Sequence, residues 1–203
     1  MLKRPSRTVV FRSTVLGLLI VGGLGLLAQE AALEIDPAQT EVDYTVDSTL
    51  HTVRGKFRLK RGDVRFDPAT GAAEGELVVD ARSGDSGSHA RDQKMNKDVL
   101  ESERFGEIVF RPHRVEGKVA REGPSQVLIH GTFSIHGGDH EITVPAGVEA
   151  AGGQFTVTAH FDVPYVKWGM KNPGNFLLHV NDKVGITVRT VAKTRGESSR
   201  AER

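Results

Sequence analysis

From about residue 40 onward the chain alternates apolar and polar positions, the period-two pattern of strands with one dry and one wet face. Val42, Tyr44 and Val46 share a face, followed by Val53, Phe57 and Leu59, and Gly55 between them marks a bulge or a close approach of another backbone. Arg61-Gly62-Asp63 reads as a tight turn into residues 64–66, and residues 67–71 as a longer turn. Leu77 and Val79 alternate within 75–80, and residues 83–88 are a Gly/Ser-rich loop. A strand over 107–115 and a turn at Glu116-Gly117 precede the cleanest alternation, 126–135. There Val127, Ile129, Phe133 and Ile135 oppose His130, Thr132, Ser134 and His136. His136-Gly137-Gly138-Asp139 then turns the chain into Ile142, Val144 and Val148, making a hairpin. Ala151-Gly152-Gly153 leads into a one-sided strand with Phe155, Val157, Ala159, Phe161 and Val163. Residues 164–175 form an irregular loop with the single Trp, and 176–180 and 184–191 are strands that close the sheet. The polar segment 193–203 is expected to be a disordered tail.

One stretch, 88–110, departs from this pattern. Met95, Val99 and Leu100 fall at i, i+4 and i+5, one narrow stripe on a helix whose other positions include Arg91, Asp92, Lys94 and Lys97. Ser88 is placed to cap the first turn, and Asp92 near it suits the positive pole of the helix dipole. Phe105, Ile108 and Phe110 then resume an apolar strand. A single short helix among strands serves as a lid over a cavity, a plug in a barrel end, or a connector closing a sandwich edge. Eight or more antiparallel strands with short turns fit a closed barrel or a sandwich. Rings at Phe57, Phe66, Phe105, Phe110, Phe133, Phe155, Phe161, Trp168 and Phe176 are spread over most strands, which favours a hollow interior.

The length of 203 residues accommodates one β domain. The N-terminal segment changes the charge balance: Lys3, Arg4, Arg7 and Arg12 precede an apolar run at 15–28, about the length of a signal-peptide core and shorter than the roughly 20 residues of a membrane span. Residues 1–28 are therefore expected to be a signal peptide, or an uncleaved anchor, that sends the domain to the periplasm or beyond. Without those four cations 23 basic side chains face 26 acidic ones, a charge of −3. A slightly acidic domain with no basic cluster argues against nucleic acid. The chain has no cysteine, which excludes disulfides and thiolate chemistry.

Three motifs, VRGKF, RDQKMNKDVLESERFGEIVF and GTFSIHGGDHEITVPA, resemble in order and spacing the signatures of the YceI-like lipid/polyisoprenoid-binding family. Val53, Gly55 and Phe57 match the first signature, Arg91 and Asp92 with Phe105, Ile108 and Phe110 the second, and Ser134-Ile135-His136-Gly137 the third. Gly106 stands where the family usually has proline, Phe133 where it usually has leucine, and residues 168–173 replace a commoner Arg-x-x-Phe-Gly ending. The resemblance covers 33–191 and implies an all-β fold: an extended eight-stranded antiparallel barrel, lipocalin-like, with one short helix between strands. The expected domain is 29–192. It implies a partner, a polyisoprenoid or other long-chain apolar lipid in a tunnel, and no catalytic residues and no cofactor. A transient membrane contact and a homodimer are compatible with it.

On that reading the lining consists of Phe57, Leu77, Val79, Phe133, Ile135, Phe161 and Phe176, with Met95, Val99 and Leu100 on the helix as a cap. Arg91 is placed to meet a phosphate or other polar head group at the tunnel mouth, or to fix the helix to a neighbouring strand. His130 and His136, six residues apart on a strand, stand roughly 20 Å apart and cannot share an ion. His136 and His140 flank a turn without a third ligand, and His136 is expected to hydrogen-bond within that turn. No nucleophile elbow, phosphate loop or HExxH is present, so binding is favoured over catalysis. A solid-core barrel acting as an exported stress or interaction module is the alternative.

Overall fold

The computed structural model describes residues 31–194. The elements in order are β1 (Ala31–Ile35), a 3-10 turn (Pro37–Gln39), β2 (Glu41–Asp47), β3 (Thr52–Phe66), β4 (Ala73–Asp85), α1 (His89–Lys94), a π-helical turn (Met95–Val99), β5 (Glu107–Glu116), β6 (Gly123–Ile135), β7 (Gly138–Ala151), β8 (Gln154–Val163) and β9 (Val184–Thr194). Each strand from β2 to β9 pairs antiparallel with the next, and β2 pairs with β9, so the sheet closes on itself. β1 lies end to end with β2 and fills the same position between the other halves of β3 and β9. Nine strands therefore make a closed barrel of eight positions.

The break between β1 and β2 has a local cause. Pro37 has no N–H to give to a ladder, and Asp36 folds the chain by accepting bonds from the Ala38 N–H at 2.9 Å and the Gln39 side chain at 2.6 Å. Thr40 fixes the corner through the Asp36 carbonyl and, at 2.6 Å, the Thr190 hydroxyl of β9. The long strand β3 carries register shifts at Lys56/Arg58 and Leu59/Arg61 against β4, which bend it around the barrel.

The turn at residues 67–71 forms as expected: Asp67 accepts from the Ala69 N–H and the Thr70 hydroxyl, and Gly71 has a φ of 76°. The β6–β7 hairpin also forms, with His136 and Gly137 at φ 52° and 76° supplying a two-residue loop whose twist matches its strands. Three segments differ from expectation. Arg61-Gly62-Asp63 is no turn but lies inside β3, and its glycine answers to packing, since a Cβ there would press on Ile35 of β1 at 3.1 Å. The first half of 83–88 belongs to β4, where Gly84 is buried and a Cβ would collide with Met95 and Phe57, so the glycine lets the helical segment settle on the sheet. Residues 176–180 do not form a strand; Val180 alone makes an isolated bridge, to Ser48.

At the other end of the chain β9 continues through Lys193 and Thr194, two residues into the segment expected to be a tail. The leader and residues 195–203 lie outside the described residues.

The register divides the barrel into two ends. One carries the β2–β3 turn, the α1 segment, the β6–β7 loop and the long β8–β9 connection. The other carries the β3–β4, β5–β6 and β7–β8 turns together with Ala31 and Thr194, where the described residues begin and stop. Gly55, within β3, faces Tyr44 and the carbonyl of Asp85, each 2.5 Å from where a Cβ would stand. Gly55→Ala is expected to destabilise the fold by about 1–3 kcal/mol through overpacking, read as a lower denaturant midpoint with an unchanged slope.

Candidate ligand cavity

The inward side chains of the strands do not fill the interior. They enclose a cavity of about 800 Å³ that draws its lining from every strand and from α1. Inward residues such as Phe57, Leu77, Val79, Phe155, Val157 and Phe161 are only half-buried because one side of each faces this void. The three charged residues along it are Arg91 and Lys94 at the α1 end and Arg121 at the other; among the described residues no carboxylate lines it. Such a surface holds hydrocarbon well and tolerates an anionic group only at its ends.

Ten of the eleven residues expected at a binding site line this cavity: Phe57, Leu77, Val79, Arg91, Met95, Val99, Leu100, Phe133, Ile135 and Phe161. Phe176 does not, and its side chain is 100% exposed. The Asn175 side chain accounts for this by accepting bonds from the N–H groups of Leu177 and Leu178, both at 2.9 Å, while the Asn175 N–H donates to the Leu178 carbonyl. That tight turn carries residues 176 and 177 outward at its tip.

The helical stripe forms with a different geometry from the one expected. α1 has six residues, and the next five are a π-turn in which the Leu100 N–H donates to the Met95 carbonyl five residues back, at 2.9 Å. Residues separated by four and five positions are neighbours in such a turn, so Met95, Val99 and Leu100 all reach the cavity. Arg82 of β4 anchors the far side by donating to the carbonyls of Ser102 and Glu103.

Ser88 makes no side-chain cap, contrary to expectation. Asp92 instead turns back to accept from the Ser86 N–H at 2.9 Å and the Ser86 hydroxyl at 2.5 Å. Arg91 donates to the Ser86 hydroxyl and carbonyl at 2.8 and 2.9 Å, so two of its five N–H groups hold the loop before α1. Lys94 donates to the Pro173 carbonyl at 2.9 Å and ties α1 to the β8–β9 connection.

That connection supplies lining residues the sequence pattern did not single out, Tyr165 and Met170. The Tyr165 hydroxyl donates to the Asn181 carbonyl at 2.8 Å, and burial together with the Asp182 carboxylate pushes its pKa up to about 12. Trp168 packs against Phe133, centroids 5.8 Å apart, and stacks on His140 at 4.0 Å. His136 makes no hydrogen bond within its turn; it packs on Phe105 at 4.8 Å with Glu101 at 3.4 Å from its Nε2. The lining residues Phe155 and Val157 were legible in principle, since strand parity places them with Phe161 on β8. Tyr165 and Met170 follow no period.

A closed antiparallel barrel around an apolar void, with one short helical segment at its mouth, is a barrel of lipocalin-like form. Residues 33–192 match the YceI-like domain, and the chain belongs to that family. Among solved structures it is similar to BcnA of Burkholderia cenocepacia, with a TM-score of 0.66 at 21% identity over 78% of this chain and 99% of that one. A polyisoprenoid binding domain from Saccharophagus degradans, implicated in plant cell wall breakdown, aligns with a TM-score of 0.62 at 14% identity over 81% of this chain and 99% of that one. The YCEI protein of Campylobacter jejuni gives 0.55 at 14% identity, over 66% and 80% of the two chains. These likenesses are of fold. No curated protein matches the sequence.

Tyr165 offers a test of how the β8–β9 connection is held. Its pKa is raised above the ordinary value of 10, so the folded state keeps the phenol proton longer than the unfolded chain does. The resulting stabilisation is full below pH 10 and is lost as the pH climbs towards 12. The difference in denaturation midpoint between wild type and Tyr165→Phe should therefore shrink over that window, and a constant difference would refute the assignment.

Proposed function

We propose that this protein binds a polyisoprenoid chain of the quinone or polyprenyl type inside the barrel, and carries it outside the cytoplasm. The observation that carries the reading is the cavity itself, about 800 Å³ with a hydrocarbon lining, a volume within the roughly 300–1,000 Å³ common for small-molecule sites. A chain entering it recovers about 0.8 kcal/mol per buried methylene, so tight binding requires no specific polar contact. Length and shape then set selectivity.

The binding assigned by name to the Saccharophagus degradans domain supports the same reading. The hollow interior supports this reading over that of a solid-core interaction module. At the mouth, Arg91 has donors beyond those that hold Ser86, and with Lys94 it suits a polar head group. The role is one of holding and handing over, without a chemical step. Export is supported by the four cations and the apolar run at the N-terminus.

Protein purified from its native compartment, extracted with organic solvent and examined by mass spectrometry, should yield one prenyl-type molecule per chain; repeated recovery of none would count against the reading. Charged residues at Met95 and Phe133 together should abolish uptake in a protein that still folds. Ala159, which lines the cavity from β8, is small. Ala159→Phe should shift the bound population toward shorter chains. Sequencing the N-terminus of the exported protein tests the leader, and a start at or soon after residue 29 is expected.

A further inference from the structure

Among the described residues three large apolar side chains stand far out in solvent, Leu50 at 74%, Phe176 at 100% and Leu177 at 85% exposure. All three sit at the α1 end of the barrel. Leu50 crowns the β2–β3 turn, and Phe176 and Leu177 crown the Asn175 turn. The two turns are joined: the Thr49 N–H donates to the His179 carbonyl at 3.0 Å, and Ser48 pairs with Val180. Their inner residues, Ser48, His51, Pro173, Leu178 and Val180, line the cavity. A lone exposed leucine is ordinary, whereas three on conjoined turns at the rim of an apolar cavity form a patch.

Charge indicates what covers the patch. Lys171 and Lys183 are exposed at the two feet of the turn-bearing loop, and Arg91 and Lys94 stand on the facing lip. Two acids lie close in sequence to the tips, Asp47, which accepts from the Thr52 hydroxyl at 2.6 Å, and Asp182, which accepts from the Asn172 amide at 3.0 Å, so four cations stand against these two carboxylates. Apolar tips ringed by cations match the layering of an anionic bilayer, in which rings and leucines reach below the head groups while lysines stay at the phosphates. Ala31 and Thr194 lie at the opposite end of the barrel.

We propose that this rim is a membrane-docking face, seating Leu50, Phe176 and Leu177 in the interface of an anionic lipid surface with the cavity mouth turned toward it. The inference adds to the lipid-binding reading a route by which a guest passes between bilayer and barrel without crossing water.

The test uses the full purified chain and vesicles of phosphatidylcholine with or without phosphatidylglycerol, free of any isoprenoid. Wild type should sediment with the anionic vesicles, less so at high salt. L50S/F176S/L177S should lose at least tenfold in affinity, and K171E/K183E several-fold. The mutated side chains are solvent-exposed, and far-UV circular dichroism checks that each variant folds. Failure of wild type to bind, or equal binding by the triple variant, overturns the proposal. So does a wild-type dimer in vesicle-free buffer that the triple variant abolishes, which would assign the patch to a second copy. Because the vesicles hold no prenyl chain, docking succeeds or fails independently of what the cavity takes up.

Discussion

Closure of the ladder between β2 and β9 is the constraint on which the rest depends. Eight strand positions fix the circumference, and an eight-position barrel is at the size where side chains either just fill the interior or leave room for one small guest. Here they leave room. Apolar clusters form around Phe133, Val163 and Met170 at the α1 end, around Val127, Val144 and Val148 along β6 to β8, and around Ile35, Leu59 and Ala192. Side chains such as Leu59 of β3, Val144 of β7 and Ala159 of β8 are buried along the wall, and they still leave a central void that a flexible hydrocarbon can complete.

The outer wall is stabilised differently. Lys60 and Arg61 of β3 meet Glu107 of β5, and Arg61 and Arg111 share Glu76 of β4. Lys60 and Arg61 hold the Glu107 carboxyl below its ordinary pKa. Exposed pairs of this kind contribute little to stability, because water and salt screen them. Their position matters more, because strand parity puts Val78 on that same face and Val78 is wholly buried. Long charged side chains that lie across a valine protect it with their aliphatic stems. The strand-edge register of β3, β4 and β5 is thus marked on the outside by charge and on the inside by Leu77, Val79 and Phe110.

Most of this architecture was legible because strand periodicity is a local signal and the barrel is built from long, regular strands. The lining from Phe57 to Phe161 follows from parity, and the stripe of Met95, Val99 and Leu100 was legible even though the turn beneath it is π-helical. What misled were glycines and loops. Gly62 and Gly84 look like turn residues in sequence, yet each sits inside a strand because another element comes too close for a side chain. Phe176 carries the hydrophobic signal of a lining residue, but the Asn175 turn determines its direction, and a turn two residues wide has no period. Tyr165 and Met170 are in the cavity for a tertiary reason, the folding back of the β8–β9 connection over the rim, which no local pattern encodes.

The relation between β1 and β9 has a practical consequence. Leu33 pairs directly with Thr194, so the first and last described strands are neighbours in the sheet and end on the same rim. A short linker could join them without disturbing the ladder, and new ends could be opened at an exposed reverse turn such as 67–71. A circular permutant of this kind would keep every inward side chain in place, and would separate what the barrel itself does from whatever is attached to its natural ends.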